Sequence, residues 1–215
     1  ADPGPELSML TASNPAGHAY RPRVISVDPA FFISYSFLTV SIRVCAGIYR
    51  SRRLECPAKG VRPTTDRVKQ AIFSTLPVDL DNASVLDLFA GCGSLGIEAL
   101  SRGAQRVTFV DSSFRSIRAI EKNIDSLKAG EHARIIRSEA GAFVRGCTEE
   151  FDVIFMDPPY DKGLASEMAP HVYRLVKSGG VLVVEHSPDE AIPVQPWKTR
   201  TYGDTMITYC IKGAS

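Results

Sequence analysis

The chain has 215 residues, which is enough for one sizeable α/β domain with an appendage. Its 44% hydrophobic and 23% charged residues are typical of globular proteins, and no apolar run reaches the ~20 residues of a membrane span. A net charge of +1 does not by itself imply a polyanionic partner, and five cysteines without C-x-x-C spacing predict neither disulfides nor a zinc site. We therefore expect a cytoplasmic protein without a metal and without membrane contact.

Three regions follow one another along the chain. Residues 1–41 are rich in Pro, Gly, Ala and Ser and lack apolar periodicity, which predicts a disordered or non-native extension. Residues 42–77 form a small N-terminal region, and residues 78–215 form the main domain. Between residues 43 and 69, eight basic side chains stand against two acidic ones, which predicts a surface for an anionic partner.

The small N-terminal region predicts two strands and a helix. The strands are joined around residues 49–51, and the helix follows in "VRPTTDRVKQAIFSTL". Thr64 or Thr65 is expected to cap the helix, and Pro77 to end it.

The main domain repeats the pattern of a buried strand, a loop and a helix. Continuous apolar strands that alternate with helices predict an α/β fold with a mostly parallel, doubly wound sheet. The last predicted helix runs from residue 164 to the glycine pair at residues 179–180. Residues 198–213 then predict an antiparallel edge hairpin around "YGDT".

A glycine loop follows the first strand of the main domain. "LDLFAGCGSLGIEAL" carries Gly91, Gly93 and Gly96 in a G-x-G-x-x-G pattern, which permits a tight turn and close helix packing. Asp111 ends the next strand, where a carboxylate accepts hydrogen bonds from ribose hydroxyls. NAD, FAD and S-adenosylmethionine all fit these features. Asp87 favours the last, because a carboxylate beside the loop repels a pyrophosphate and attracts an ammonium group.

The segment "MDPPY" predicts the chemistry. Two prolines after a buried strand stiffen the chain and present a carboxylate, carbonyl groups and an aromatic ring in a fixed array. The Asp157 carboxylate and the Pro158 carbonyl can accept both N–H groups of a nucleobase amine, which localises its lone pair. Tyr160 can stack on the base, which must be flipped out or unpaired.

Several segments together resemble a known family. They are "AGIYRSRRL", "GVRPTTDRVKQAIFSTL", "LDLFAGCGSLGIEALSRGA", "FMDPPY", "VVEHS" and "YGDT". They are similar to the bacterial 16S ribosomal RNA guanine-N2 methyltransferases of RsmD type, among the class I S-adenosylmethionine-dependent amino-methyltransferases. The resemblance covers about residues 43–212 and implies a Rossmann-like fold. It implies an enzyme that methylates a guanine N2 in 16S ribosomal RNA or the small ribosomal subunit and leaves S-adenosylhomocysteine. We also expect a monomer.

The residues and the resemblance together give three sets of site residues. The catalytic set is Asp157, Pro158, Pro159 and Tyr160. The cofactor set is Asp87, Phe89, Ala90, Gly91, Gly93, Asp111, Ser112, Glu139 and Ala140, of which Glu139 and Ala140 are implied by the resemblance to lie beside the adenine. The RNA set, on the hairpin and helix that flank the site, is Arg50, Arg52, Arg53, Arg62, Thr64 and Arg67.

Three alternatives remain at the level of sequence. An adenine-N6 methyltransferase acting on RNA or DNA would use the same Asp-Pro-Pro-Tyr corner. An NAD(P)-dependent oxidoreductase would use the glycine loop, although no hydride-transfer constellation is evident. A non-catalytic RNA-binding factor would keep the fold without the chemistry.

Overall fold

The computed structural model describes residues 39–57, 65–159 and 163–213, and they form two sheets and five helices. The strands are β1 (Thr39–Arg43), β2 (Arg53–Pro57), β3 (Ser84–Leu88), β4 (Arg106–Asp111), β5 (Ala133–Arg137), β6 (Phe151–Met156), β7 (Val176–His186), β8 (Lys198–Tyr202) and β9 (Thr205–Ile211). The helices are α1 (Asp66–Thr75), α2 (Ser94–Ser101), α3 (Phe114–Leu127), α4 (Ala140–Gly146) and α5 (Leu164–Tyr173), with a 3₁₀ turn at Gly130–His132.

The main sheet has seven strands in the order β5-β4-β3-β6-β7-β9-β8. Strands β3 to β7 pair in parallel, while β9 runs antiparallel to both β7 and β8. The chain moves outward from β3 to β4 and β5 and then returns to the other side of β3 with β6. The strand order therefore switches between β3 and β6, and ligands of such sheets bind beyond the carboxyl ends at that point.

Two apolar layers cover the main sheet. One layer joins residues of α1, α2 and α3 to the sheet, and Phe73 of α1 meets Phe155 of β6 with ring centroids 5.3 Å apart. The other joins α4 and α5 to the opposite sheet face. Both faces are thus buried, which explains the nearly continuous apolar strands in the sequence.

The β1–β2 hairpin forms a separate two-stranded antiparallel sheet. Its turn rests on the last residue of α2, where the Ile48 amide donates to the Ser101 carbonyl at 2.8 Å. Gly47 adopts φ 81°, and a Cβ there would lie 1.6 Å from that carbonyl oxygen. The Arg52 guanidinium donates to the Ser126 carbonyl near the end of α3. The hairpin turn therefore lies at the carboxyl-terminal ends of α2 and α3.

A fully buried carboxylate ties the hairpin and α1 to the main domain. Glu98 of α2 accepts hydrogen bonds from the backbone amides of Cys45 and Ala46 at 2.7 and 3.0 Å. Arg102 and the buried Lys69 of α1 lie 2.9 and 3.8 Å from the same carboxylate. Removal of one partner would leave an uncompensated buried charge, so this cluster fixes where the N-terminal region docks.

Three predicted boundaries need correction or refinement. Strand β1 begins at Thr39, before the predicted start at residue 42, while residues 1–38 lie outside the described residues. Thr65 caps α1, with its hydroxyl accepting from the Val68 amide. The prediction of a helix up to the glycine pair is wrong, because α5 ends at Tyr173 and β7 already contains Gly179 and Gly180.

The glycine pair lies in the first half of β7, where this strand approaches β6 closely. Gly179 adopts φ 79°, and a Cβ on Gly180 would lie 2.7 Å from the Asp152 carbonyl oxygen of β6. Small residues are therefore needed where the irregular beginning of β7 approaches β6. Among the described residues, no helix is long and apolar enough to cross a bilayer.

Candidate functional site

The carboxyl ends of β3 and β6 bring the glycine loop and the Asp-Pro-Pro segment together. Leu88 of β3 pairs with Met156 of β6, so the two segments leave the sheet at the same level. This is the switch point of the sheet, where a cleft outside the strand ends is expected. The segment predicted to bind the methyl donor and the segment predicted to bind the acceptor base therefore lie at the same edge of the sheet.

The glycine loop has the backbone that its sequence predicts. Gly91 and Gly93 adopt φ angles of 56° and 79°, which glycine reaches without strain. A Cβ on Gly96 would lie 2.3 Å from the Phe109 ring, so α2 could not pack on β4 with a larger residue there. Phe89 has φ 66°, an uncommon angle for a bulky residue and one that occurs preferentially at functional sites.

Asp87 is a buried acid at the base of the loop. Its Oδ2 accepts from the Gly96 amide at 2.8 Å. Burial is the main cause that raises the pKa of Asp87 from 3.8 to about 7; the Gly96 hydrogen bond opposes it, and the charge of nearby Asp111 adds a smaller increase. A cation beside this buried carboxylate would stabilise its ionised form.

The residues around Asp87 fit an amino-acid group that carries both an ammonium and a carboxylate. Helix α2 begins after Gly93 without a side-chain cap, so its positive end can attract a carboxylate. The Ser94 hydroxyl is buried at that end and has no hydrogen-bond partner within the described part of the chain. The methionine end of S-adenosylmethionine supplies both charges, whereas a pyrophosphate would place negative charge beside Asp87.

Asp111 organises the neighbouring loop. Its Oδ2 accepts from the Gly91 amide and its Oδ1 from the Ser113 amide, both at 2.8 Å. Ser112 is exposed beside it, and the Ser138 amide donates to the Asp111 carbonyl. This last contact brings the end of β5 against the end of β4.

The residues predicted beside the adenine lie at that end of β5. Glu139 is exposed and forms the N-cap of α4, while Ala140 is buried as the first residue of the helix. Phe89 is half-buried and Ala90 buried at the end of β3. The structure thus gathers the predicted cofactor set along the ends of β3, β4 and β5.

The predicted catalytic corner follows β6 directly. Asp157 is half-buried, Pro158 is buried and Pro159 is exposed. Tyr160 lies outside the described residues, so its predicted stacking role stays a prediction. The described part of the corner follows β6 beside the glycine loop, where Asp157 is not fully buried.

The predicted RNA set is spread more widely than the sequence suggested. Arg50 and Arg52 are exposed on the hairpin turn, which contacts the far end of α2, about 12 Å along that eight-residue helix from the glycine loop. Their predicted contact with RNA stays a prediction, with the hairpin turn at the end of α2 remote from the glycine loop. Arg53 and Arg67 are exposed on β2 and α1. Arg62 and Thr64 lie outside the described residues.

Asn123 is a supporting residue that the sequence analysis missed. From the middle of α3 its Nδ2 donates to the Cys92 carbonyl in the glycine loop at 3.1 Å and to the Glu55 carbonyl at 3.0 Å. Its Oδ1 accepts from the Glu55 amide. An asparagine inside a helix, where its propensity is low, was the available signal. Ser94 was also missed, although it lies within the glycine motif.

Cys92 packs in the loop, as expected. It is buried with Cys56 of β2, and the hydrogen bond between the two thiols and its burial raise the pKa of Cys92. A thiol in that state is a poor nucleophile. Within the described residues, no group of three or more His, Cys, Asp or Glu side chains is placed to hold a metal ion.

The sheet order and the site define a Rossmann-like methyltransferase. The family model described as "Conserved hypothetical protein 95" matches residues 42–211, and the chain belongs to that family. The predicted RsmD-type family, the fold class and the enzyme class, an S-adenosylmethionine-dependent methyltransferase, are thereby confirmed.

Curated relatives and solved structures agree with this assignment. The Escherichia coli K12 protein "Ribosomal RNA small subunit methyltransferase D" is 35% identical over 162 residues, which cover 72% of this chain and 79% of that protein. A solved Escherichia coli protein, provisionally named methyltransferase yhhF, has a TM-score of 0.73 and 31% identity and covers 82% of this chain and 100% of its own. The solved Thermus thermophilus 16S rRNA N2 G1207 methyltransferase shares the fold, with a TM-score of 0.64 at 18% identity over 81% of this chain and 50% of that one.

Proposed function

We propose that this enzyme transfers a methyl group from S-adenosylmethionine to the exocyclic N2 of a guanine in 16S ribosomal RNA. The observation that supports it best is the pairing of Leu88 with Met156, which places the Asp157–Pro159 corner beside the glycine loop. The family and the curated relatives supply the substrate class. The small ribosomal subunit as the form of the substrate, a monomeric enzyme and a cytoplasmic location stay predictions.

The cofactor set divides by the part of the donor each residue would hold. Asp87 pairs with the ammonium group, and the positive end of α2 with the Ser94 hydroxyl binds the carboxylate. Asp111 accepts from the ribose hydroxyls, and Glu139 with Ala140 borders the adenine. S-adenosylmethionine supplies an electrophilic methyl group on a sulfonium.

The corner after β6 prepares the acceptor. Asp157 and the Pro158 carbonyl accept the two N–H groups of the guanine amine, which turns its lone pair away from the ring and towards the methyl group. A bond then forms between N2 and the methyl carbon, the bond from sulfur to that carbon breaks, and one N–H proton leaves to solvent. Catalysis rests on positioning and on fixed hydrogen-bond acceptors.

Small ribosomal subunits from a bacterial strain that lacks its own enzyme of this family provide the test. Incubation with tritiated S-adenosylmethionine should label their 16S RNA, and nucleoside analysis should give N2-methylguanosine. Subunits from the parent strain are the matched control and should accept little label, because their site is already methylated.

Other products of that experiment point to the alternatives. Label in N6-methyladenosine would replace the guanine assignment with the adenine-N6 alternative. No label in any nucleoside, together with tighter binding of NAD than of S-adenosylhomocysteine in calorimetry, would favour the oxidoreductase.

The N-terminal region, residues 42–77, is proposed as an RNA-binding addition to the methyltransferase domain, residues 78–215. Arg50 and Arg53 are exposed and make no ion pair with any residue in the described ranges. Because the hairpin turn and the adjoining start of β2 lie away from the reaction site, Arg50 and Arg53 would contact phosphates of RNA well outside the target nucleotide. Such contacts add affinity without sequence preference.

Substitution of Arg50 and Arg53 by Ala tests the hairpin contact through the salt dependence of RNA binding. Each lost phosphate contact should reduce the slope of log K against log salt by roughly 0.7 to 0.9. Filter binding of small subunits between low and moderate salt measures the slope. Arg145→Ala, an exposed arginine on α4 behind the other sheet face, is the control and should leave the slope unchanged. Equal slopes for the double variant and the parent would remove the hairpin from the RNA interface.

A further inference from the structure

Phe114 is a large apolar side chain left on the surface beside the cofactor site. It is the first residue of α3, three positions after Asp111, and is 59% exposed. The buried side of α3 carries other residues, from Ser116 and Ile117 to Leu127, so the Phe114 ring does not belong to the apolar stripe of its helix. A solvated phenylalanine forgoes the stabilisation that burial gives.

Within the described ranges, the planar group that lies against the ring is a guanidinium. The Arg137 guanidinium lies over it, with its carbon 5.7 Å from the ring centroid. The Arg137 Nε also donates to the Ser112 carbonyl at 3.2 Å, and Arg137 pairs with Asp111 at the ends of β5 and β4. The guanidinium is therefore held in place by a backbone contact while the ring stays largely open to a second planar group.

The charge around the ring favours an anionic ligand with planar groups. Arg115 and Arg137 are exposed, and neither makes an ion pair with a described residue. The acids nearby are Asp111, whose two oxygens accept backbone amides, and Glu139, assigned above to the adenine side of the cofactor. Nucleic acid combines phosphates with bases that stack on aromatic rings and on guanidinium planes.

The surface formed by Phe114, Arg115 and Arg137 lies in a different place from the hairpin turn. Phe114 and Arg137 lie at the carboxyl edge of the sheet, the edge at which the Asp157 corner follows β6, whereas the hairpin turn contacts the other end of α2. A substrate RNA that presents a base to Asp157 must pass this edge. The bases that flank an extruded nucleotide then lack one stacking neighbour.

We propose that Phe114, backed by Arg137, forms a stacking platform for an unpaired RNA base that flanks the methylated nucleotide, with Arg115 contacting its phosphate. The inference rests on the proposed function, because that function brings RNA to this edge. It adds a contact that holds the substrate strand on the β4–β5 side of the site. Phe114 is a substrate-positioning residue here and takes no part in methyl transfer.

Phe114→Ala and Phe114→Trp test the platform. With unmethylated small subunits as substrate, Phe114→Ala should raise KM about tenfold and leave kcat nearly unchanged, because stacking of one base is lost. Phe114→Trp should keep the KM of the parent, since its ring also stacks. The dissociation constant of S-adenosylhomocysteine, measured by calorimetry, should change less than about twofold in either variant.

Trp197→Ala is the matched control. Trp197 is 50% exposed and also has a cation over its ring, that of Lys198, but it precedes β8 at the outer side of the sheet away from β5. Its replacement should leave both constants unchanged. An equal rise in KM for the two alanine variants would show a nonspecific effect and overturn the platform.

Two further outcomes would also overturn the proposal. A weaker affinity for S-adenosylhomocysteine in Phe114→Ala, with unchanged subunit binding, would assign the ring to the adenine of the cofactor. Unchanged KM and unchanged subunit binding would remove Phe114 from any interface. Filter binding of subunits is independent of methyl transfer, so failure of the proposed function would appear in the parent enzyme and failure of the platform only in the comparison of variants.

Discussion

Asp157→Ala is expected to lower kcat for methyl transfer by about 10²- to 10³-fold, the usual loss when a preorganised hydrogen-bonding group at a reaction centre is removed. The side chain is half-buried at the end of β6, and the buried Pro158 that follows holds its backbone in place. Without the carboxylate, the guanine amine keeps its lone pair in the ring. The dissociation constant of S-adenosylhomocysteine should stay close to that of the parent, because the cofactor set lies on β3, β4 and β5.

Single-turnover methylation of unmethylated small subunits measures the effect on chemistry, and calorimetry measures cofactor binding. Asp189→Ala removes an exposed acid from the segment after β7 and should leave both unchanged. Asp157→Asn keeps one oxygen acceptor and should fall between the parent and the alanine variant. Methylation at the rate of the parent in Asp157→Ala would show that the corner does not align the acceptor.

The parts of this molecule that follow from local pattern were predictable. Glycine at positive φ, a carboxylate at a strand end and an apolar run of strand length each depend on nearby sequence, so the glycine loop, Asp111 and the Asp157 corner were predicted at the right strand ends. Parallel strands then bring their carboxyl ends together whatever the intervening residues.

The packing of the hairpin was not predictable in the same way. Its position depends on Gly47 against the Ser101 carbonyl and on Glu98 with Lys69, which are contacts between residues far apart in the chain. A basic composition predicts a charged surface but does not say which end of the sheet that surface faces. A charged residue inside the apolar sequence of α2 was the one available sign that Glu98 has a buried partner.

The glycine pair shows a second kind of failure. Gly179 and Gly180 read as a helix stop because glycine commonly follows the end of a helix. In the structure their role is close approach of β7 to β6, a need that arises only once the sheet has formed. A helix end and a close approach of two strands both favour glycine at these positions, so the sequence alone does not distinguish them. In the folded chain, the packing of β7 on β6 is the reason for the glycine pair.

Asp87→Asn is expected to weaken S-adenosylmethionine binding by at least about tenfold and at the same time to stabilise the ligand-free protein at alkaline pH. Burial raises the pKa of Asp87 from 3.8 to about 7, so the folded chain holds this proton more tightly than the unfolded chain does. The stability associated with the neutral acid is complete below about pH 4 and is lost as the pH rises through about 7, at a cost on the order of 4 kcal/mol. Asparagine is neutral at every pH and can still accept from the Gly96 amide.

Urea unfolding of ligand-free protein from pH 5 to pH 8 measures the effect on stability. The free energy of unfolding should decline over this range in the parent and much less in Asp87→Asn. Calorimetry measures the effect on cofactor binding. Because the ammonium group pairs with ionised Asp87, the affinity of the parent for S-adenosylmethionine should fall as the pH drops below about 7, and that of the variant should be weak throughout. Methylthioadenosine lacks the amino-acid end and should bind both proteins equally. If the variant bound S-adenosylmethionine as tightly as the parent while losing the pH dependence of its stability, Asp87 would be a structural acid and the donor would be held by other groups.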